Sequence, residues 1–514
     1  MLILLFPLLP IISALILVIL ERFDEDSGDW LSSSTAFVLL AMAVTIIFTL
    51  NGGALVYHMG GWVSPLGVDL VLDGFSALML VVINLVGFLS MLYSVEYMKK
   101  FTSKAKFYIL HLFLIAGLNG IVLSGDIFNF YVFLEMVAFS SYALVAFGVE
   151  QPDLEASIRY QVLGTVGSFF LLFGIGILYS VTGTLDLADM SKYISQTGVS
   201  RAVMFSIPLL LFGFALKAAL VPFHAWLPDA YPTAPAPVTM MLAGTVSKVC
   251  SIYGIVRVFF GVTGVSPTLH QVLLYAGLIS IFFGAFSALK QIDLKRLLAY
   301  SSISQIGYVM LGLGIGTPLG YAGALFHILN HATFKSLYFM VAGSVEHSTG
   351  ERDITKLSEL SDKMPTTFLS SLSASFSLGG VPPFGGFFSK LLIILALFKS
   401  DYIVVGLLVV VSAVFTLAYF LKIQRNVFLR KSLEFREISL ENPEFNSGQN
   451  LSTLNSQLST LKEVPVLMRV SMLVLAIVCL GLGLAFPWIL KAVVEPAVKV
   501  LTLGCGYGNL ISGL

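Results

Sequence analysis

Charged residues are scarce in this chain of 514 amino acids. Asp, Glu, Lys and Arg together make up 11% of the sequence, and their charges balance to zero. Soluble domains carry about 25% charged residues. With 57% hydrophobic residues as well, the composition excludes a soluble protein and indicates a polytopic α-helical membrane protein. The zero net charge implies no nucleic-acid partner.

Cysteines and chemical motifs are also few. Cys250, Cys479 and Cys505 stand in apolar surroundings without ligand-like spacing, so they predict neither a disulfide framework nor a metal site. The chain lacks a CxxC array, a Walker loop and a glycine-rich dinucleotide turn. We therefore expect no cofactor and no redox or hydrolytic active site on this chain. The N-terminal apolar run lacks a basic segment and a cleavage site, which predicts a retained span rather than a signal peptide.

Long apolar runs are abundant. Fourteen are long enough to cross a bilayer, near residues 2–20, 33–51, 74–95, 107–124, 127–148, 158–181, 204–222, 238–262, 269–289, 297–315, 318–345, 367–398, 402–421 and 467–489. If successive loops lie on alternate sides of the membrane, one side has few basic residues. They are Lys192, Arg201, Arg257, Lys399, Lys491 and Lys499. The other, basic side is then cytoplasmic by the positive-inside rule, and both termini face out of the cell membrane. Loop segments 185–198 and 353–363 have the spacing of short amphipathic helices.

Two of the predicted spans are interrupted by proline. The seventh runs from Ile207 into Pro222 and Pro228, and the twelfth contains Pro382 and Pro383 between pairs of glycines. Proline removes a backbone donor and clashes with the preceding turn, so neither span can be one regular helix. Interruptions at corresponding places in two halves indicate a transport site. The breaks are five positions apart, so each repeat has five spans, and an odd number of spans forces tandem repeats into opposite orientations.

These landmarks predict an all-α integral membrane fold of about fourteen transmembrane helices, with two inverted five-helix repeats and discontinuous helices 7 and 12. The predicted parts are an N-terminal three-helix segment (1–106), a first repeat of helices 4–8 (107–262), a second, inverted repeat of helices 9–13 (263–423), a cytoplasmic loop (424–466), and helix 14 with a C-terminal tail (467–514).

Few ionisable residues lie at membrane depth, and the presence of each one there has to be explained. They are the four lysines Lys217, Lys248, Lys335 and Lys390, and one carboxylate, Glu135. A lysine at the bilayer centre costs about 2.5–3.5 kcal/mol on insertion scales, so it indicates an ion pathway unless it snorkels from a kinked helix end. Glu135 is the only acidic residue at this depth in spans 4–8. We therefore predict that it pairs with Lys217, directly or through one water.

The eleventh span adds two histidines at helical spacing. His327, His331 and Lys335 are four residues apart and share one helix face. Such spacing can bind zinc, but Ile328 stands where HExxH enzymes have glutamate, and Lys335 would repel a cation. We therefore predict no metal. Two satisfied core histidines or a titratable ladder remain, and a proton ladder suits imidazoles, which titrate near neutral pH.

The longest motifs resemble a known family. They are VDLVLDGFSALML, FLEMVAFSSYALVAF, LKAALVPFHAWLPDAYPTAPAPVTMML, AYSSISQIGYVMLG, HILNHATFKSLYFMVAGSV and GGVPPFGGFFSKLLI, within about residues 68–421. They resemble the antiporter-like membrane subunits of respiratory complex I, Mrp-type sodium/proton antiporters, membrane-bound hydrogenases and sulfur reductases. The resemblance implies the same fourteen-helix fold, and proton-relay roles for Glu135, Lys217, Lys248, His327, His331, Lys335 and Lys390. Lysine at position 390, where some members have glutamate, resembles the D-type subunits of Mrp antiporters.

The resemblance implies a proton-translocating subunit of a multisubunit ion-pumping complex. Redox chemistry or sodium antiport would be the work of partner subunits, including other antiporter-like chains, small membrane subunits and, in a respiratory complex, a peripheral redox arm. The parent complex is left open among an antiporter, a hydrogenase, a sulfur reductase and a quinone reductase. Two other hypotheses stay open: a non-conducting scaffold subunit that keeps these charges as structural ion pairs, and a stand-alone secondary carrier. Sodium is a poorer cargo for this path, because four ammonium groups would repel it.

Overall fold

The computed structural model describes residues 2–23, 26–50, 53–101, 103–430 and 461–504. Most of the predicted cytoplasmic loop, residues 431–460, and Cys505 lie outside these ranges. The described chain is mainly helical, as the composition predicts.

The first half of the chain forms ten helices in the ranges described. They are α1 (Leu5–Leu20), α2 (Ser27–Thr49), α3 (Gly74–Tyr97), α4 (Lys104–Leu123), α5 (Ile127–Val145), α6 (Gln151–Thr182), α7 (Leu187–Thr197), α8 (Arg201–Lys217), α9 (Leu227–Thr233) and α10 (Ala236–Thr263). Helix α10 begins with α winding and then has three π-helical segments, Leu242–Val246, Lys248–Tyr253 and Val256–Thr263. Aspartate caps begin two of the membrane helices: Asp73 accepts the first free amides of α3, and Asp126 those of α5.

The second half continues with helices α11 (Pro267–Lys290), α12 (Leu294–Gly314), α13 (Pro318–Thr349), α14 (Leu360–Lys363), α15 (Pro365–Gly379), α16 (Gly385–Lys399), α17 (Ile403–Ile423), α18 (Val466–Leu484), α19 (Phe486–Ile489) and α20 (Glu495–Leu503). Helix α13 is the centre of the molecule. It packs against α3, α10, α12, α15, α16 and α18, and its residues from Gly320 to Val345 are all buried. Because neighbouring helices shield it from lipid, it can carry polar side chains at membrane depth.

Eleven helices of the described chain are long and apolar enough to cross a membrane. Three predicted spans are not among them: 204–222, 318–345 and 367–398. The first and third are divided into short helices at their prolines, and the second is the polar helix α13. The multi-pass helical class is thus confirmed, while the count of fourteen and the inverted repeat stay predictions.

A short β-hairpin departs from the all-α prediction. Strand β1 (Leu55–His58) pairs antiparallel with strand β2 (Asp69–Leu72) between α2 and α3. Its sequences, LVYH and DLVL, are rich in residues that favour strands, and a glycine-rich loop connects them. His58 Nδ1 lies 2.7 Å from Asp69 Oδ1 and closes the hairpin.

The two predicted surface helices have different outcomes. Segment 185–198 contains helix α7, whose first amides donate to the carboxylate of Asp186. For segment 353–363 the prediction was wrong, because only the four residues of α14 are helical. There the Asp353 side chain accepts from the Thr355 amide, and Arg430 Nη2 donates to the carbonyls of Thr355 and Leu357 at 2.6 and 2.8 Å. These bonds to a distant arginine replace a helical ladder.

A buried ion pair ties α10 to α3. Charge alternation predicts a loop position for Arg257, but the residue lies within α10 with only 4% of its side chain exposed. Its Nη1 and Nη2 donate to Asp73 Oδ2 and Oδ1 at 2.6 and 2.8 Å, a bidentate arrangement. The same carboxylate caps α3, so one buried group fixes two helices.

We expect Arg257→Met to destabilise the protein by about 3–5 kcal/mol, because it leaves the Asp73 carboxylate buried without its cation. Heating the detergent-extracted protein and measuring the folded fraction would test this. Arg425→Met is the matched control, since Arg425 is exposed and should melt like the wild type. A melting curve of Arg257→Met that overlaps the control would contradict the prediction.

Candidate functional site

The first helix break places Lys217 at the end of α8. The chain leaves the helix through Ala218 and Ala219, the latter with φ +55°, before reaching Pro222. Two neighbours satisfy the freed backbone: Trp226 Nε1 donates to the Leu216 carbonyl at 3.0 Å, and the Val221 amide donates to Ser280 Oγ at 3.1 Å. Backbone polar groups at this depth need such internal partners. The C-terminal end of α8 also favours a cation, as the helix dipole predicts.

Glu135 lies on α5 near this break, half-buried. Its Oε1 atom is buried and has no hydrogen-bond partner among the described residues. The two side chains are close enough for the charge of Glu135 to act on Lys217. However, the ion pairs within 4.0 Å in the described ranges do not include Glu135 with Lys217. The direct form of the predicted pairing is therefore absent from this structure.

A small cavity adjoins Lys217. Its volume is about 20 Å³, and its polar lining groups include those of Tyr142, Tyr160 and Cys250. A cavity of at least about 10–15 Å³ can hold one water when two to four polar partners face it. The site therefore has room for a single water beside the ammonium.

Lys248 occupies the centre of the molecule. Its side chain is fully buried in α10, and its Nζ has no hydrogen-bond partner in the described part of the chain. It begins a π-helical segment, and such segments frequently occur at functional sites. Its charge acts on His327, His331 and Lys335, so the structure gathers these four groups into one electrostatic cluster.

The histidines on α13 are buried but poorly satisfied. His327 Nδ1 lies 2.9 Å from Ser389 Oγ, whereas its Nε2 and both ring nitrogens of His331 have no partner among the residues described. The ring centroids of the two histidines are 6.2 Å apart. Buried polar atoms are nearly always hydrogen-bonded to protein or water. This geometry argues against the alternative of two satisfied core histidines. The described residues contain no group of three His, Cys, Asp or Glu side chains placed to hold a metal ion.

The two remaining lysines both donate to backbone carbonyls, and the one that Lys390 contacts lies at the end of a helix. Lys335 Nζ donates to the Leu298 carbonyl at 3.0 Å and to the Ser301 hydroxyl. Lys390 Nζ donates at 2.6 Å to the carbonyl of Leu378, in the last turn of α15 beside the Pro382–Pro383 break. Carbonyls at the C-terminal end of a helix have no intrahelical donor, so an ammonium group is a suitable partner for them.

Three residues on α12 that we did not single out from the sequence connect these lysines. Ser301 contacts Lys335, and the ring of Tyr308 lies under Lys390 with its centroid 5.1 Å from Nζ. Gln305 lies between them on the same face, fully buried, and neither polar atom of its side chain has a partner within 3.5 Å in the described ranges, although the Tyr419 hydroxyl lies nearby. The spacing i, i+4, i+7 of these polar residues in the segment AYSSISQIGYVMLG is the signal that could have revealed them.

The structure thus divides the predicted residues into two groups. The first group is Glu135 with Lys217, which ends α8 at the first break and lines the small cavity. Lys248, the two histidines and Lys335 form the central cluster, and Lys390 adjoins it through Tyr308, whose ring centroid is 5.5 Å from that of His327. The arrangement is a row of buried titratable groups, most of them short of hydrogen-bond partners.

The chain is similar to membrane subunits of known complexes. The family model described as "NADH:quinone oxidoreductase/Mrp antiporter, TM" matches residues 124–416. A model for the N-terminus of chain 5 of NADH-ubiquinone oxidoreductase (complex I) matches residues 62–108. The chain is 36% identical to the N-type subunit of NADH-quinone oxidoreductase from Desulforudis audaxviator over 90% of its own length and 91% of that protein. It is 34% identical to the D-type Na(+)/H(+) antiporter subunit of Alkalihalophilus pseudofirmus over 76% and 80%.

Solved structures give the same result. A chain of the Mrp complex from Dietzia sp. DQ12-45-1b superposes with a TM-score of 0.87 at 27% identity, covering 99% of both chains. A chain of the membrane-bound sulfane sulfur reductase, an archaeal respiratory membrane complex, also gives 0.87, at 29% identity and the same coverage.

We expect an experimental structure that resolves water to show one ordered molecule in the cavity beside Lys217. The cavity volume and the polar groups around it provide the reason. The same map of Lys217→Met should lack this water, because the principal donor is gone. A dry cavity in the wild-type protein would contradict the prediction that Lys217 holds a water at this site.

Proposed function

Since this chain belongs to the membrane-subunit family of NADH:quinone oxidoreductases and Mrp antiporters, and is an antiporter-like subunit of a multisubunit ion-pumping complex, we propose that its buried titratable groups relay protons through it. They are Glu135, Lys217, Lys248, His327, His331, Lys335 and Lys390. The groups lie on the two predicted inverted repeats, 107–262 and 263–423, of a fourteen-span subunit with both termini outside the cell membrane.

The observation that carries this proposal is the lack of hydrogen-bond partners along the row. Within the described chain, Glu135 Oε1, Lys248 Nζ, His327 Nε2 and both nitrogens of His331 are buried without a partner. Leaving a buried polar group unpaired costs about 1–3 kcal/mol, and more when it is charged. A purely structural role would satisfy these groups, whereas a relay needs sites that exchange protons with transient water.

Glu135 acts on Lys217 without pairing directly with it, so a change in their separation can control the first step of the proton relay. An opposite charge nearby stabilises an ammonium in a low-dielectric site, and burial alone disfavours it. Moving the carboxylate away from Lys217 would therefore drive its proton towards Lys248. Direction must come from partner subunits, through redox chemistry or sodium antiport, because this chain carries no motif for either reaction.

In the second half of the relay, side chains of α12 lie between Lys335 and Lys390. A proton on the central cluster would pass from Lys335 through the Ser301 hydroxyl and water held by Gln305 to Lys390, beside the ring of Tyr308. A hydroxyl donates and accepts at one oxygen, so it can hand a proton onward without becoming charged, whereas the amide of Gln305 would only orient the water. Lys390 would be the last site before release.

The rival hypotheses fit these observations less well. A carrier for an organic solute needs a pocket of about 300 Å³ or more at the midplane. The cavity at the first break measures about 20 Å³. A scaffold with structural ion pairs would show direct pairing of Glu135 with Lys217.

We expect Glu135→Gln to abolish coupled ion movement while leaving the complex assembled, because glutamine keeps the volume but cannot titrate. Proton uptake by vesicles containing the whole complex would measure this. Glu495→Gln is the matched control, since Glu495 is exposed at the start of α20 and should retain full transport. Normal coupling in Glu135→Gln would remove the carboxylate from the relay.

We expect Lys390→Met to lose coupled transport and Lys390→Glu to keep part of it. Methionine retains an unbranched stem without a titratable group, whereas glutamate can still bind and release a proton. The same vesicle assay would compare them with Lys399→Met, an exposed position on the same helix α16. Full transport by Lys390→Met would show that the path ends before α16.

A further inference from the structure

A second group of buried polar side chains lies where α13, α15 and the segment after α17 meet. It consists of Tyr338, Ser371, Ser375 and Gln424, which we call the hydroxyl cluster; each is at most 3% exposed. Tyr338 OH lies 2.9 Å from Ser375 Oγ, and Gln424 Nε2 donates to Ser371 Oγ and Ser375 Oγ at 2.6 and 2.7 Å. The proton relay proposed above does not use any of the four.

The hydroxyl cluster connects the basic face of the protein with the depth of Lys335. Gln424 directly follows α17, between the half-buried Lys422 and the exposed Arg425, at the face predicted to be cytoplasmic. At its inner end, Tyr338 lies three residues after Lys335 on α13, so the two side chains share one helix face. The cluster therefore extends from near the surface to within one helical turn of a relay lysine.

Phe420 interrupts the connection at its inner end. Its ring centroid lies 6.0 Å from Lys335 Nζ and 5.0 Å from the ring centroid of Tyr338. The ring is fully buried and contacts both groups, so an apolar side chain stands where the hydroxyl cluster would otherwise join the ammonium.

The cluster also has unused hydrogen-bonding capacity. Gln424 Oε1 is buried without a partner in the described part of the chain, although three hydroxyl groups lie within 3.5 Å of the adjacent Nε2. The hydrogen bond between the Tyr338 and Ser375 hydroxyls can reverse its direction, because each hydroxyl can donate or accept. A cluster that served only to join α13, α15 and α17 would have no use for a buried free acceptor.

We infer that the hydroxyl cluster is a second proton-uptake branch, which runs from the basic face to Lys335 and is gated by Phe420. The inference rests on the proposed relay. Gln424 would hold the water that delivers the proton at the face. Each hydroxyl then takes one proton from the donor before it and releases its own to the next, and the last proton binds the amine of a neutral Lys335. Displacement of the Phe420 ring would admit the water that completes the final step.

The test uses the whole complex in vesicles without its driving substrate, and measures passive proton leak after a pH jump with an internal dye. Phe420→Ala should raise the leak about tenfold or more, because it opens a relay that a closed gate blocks. Adding Tyr338→Phe should return the leak to the wild-type level. Adding Glu135→Gln instead should leave the leak high, because the branch bypasses the first break.

Tyr93→Phe is the matched control in the Phe420→Ala background. Its hydroxyl is equally buried and bonds Ser344 Oγ at 3.1 Å and the Met340 carbonyl at 3.0 Å, both on α13 but outside the hydroxyl cluster. The leak should persist in this variant. Should Phe420→Ala fail to assemble, Tyr338→Phe alone keeps the ring and should lower the number of protons moved per reaction cycle.

Three results would overturn the branch. They are a leak that Tyr338→Phe does not reduce, a leak that disappears with Glu135→Gln, and unchanged leak in Phe420→Ala together with full proton stoichiometry in Tyr338→Phe. These results differ from failure of the relay through Glu135, which would show as normal coupling in the single variant Glu135→Gln.

Discussion

Polar groups inside a membrane protein must find partners within the protein, and in this chain the requirement is sharpest at the two helix breaks. Each proline interruption frees carbonyls at the end of a helix. At the first break Trp226 satisfies one of them, and Lys217 lies beside the others. At the second, Lys390 itself is the donor. The breaks thus create sites of negative potential, where a lysine becomes tolerable at this depth.

Two kinds of buried charge can be distinguished by the partners they have. Arg257 and Asp73 form a bidentate pair that also caps a helix, and such a pair holds elements in place. Lys248 and His331 have no such partners among the residues described. The first kind fixes the fold around the row, and the second remains free to exchange protons. A largely hydrophobic protein can therefore contain both kinds of buried charge.

Much of the fold and the site follows from local sequence. Apolar runs predict the helices, proline predicts where α8 and α15 end, and helical spacing places the histidines and Lys335 on one face. Tertiary contacts are not readable in this way. Segment 353–363 has the pattern of a helix, yet two of its carbonyls accept hydrogen bonds from Arg430, which is distant in the sequence. The sequence alone assigns Arg257 to a loop, because its partner Asp73 is far away in the sequence. The sequence pattern does not predict whether the Gln305 side chain finds hydrogen-bond partners, because that depends on its surroundings in the fold.

The π winding of α10 has a mechanical consequence. A π turn holds one residue more than an α turn, so the three π segments store extra length within a helix whose ends are packed. Moving the extra residue of the π segment before Lys248 to the other side of Lys248 would shift the register there by one residue and rotate Lys248 by about 100° around the helix axis. Lys248 could then turn between the first break and the histidines while both ends of α10 stay still. A rotary switch of this kind would alternate the contacts of one ammonium group without any rigid-body motion of the bundle.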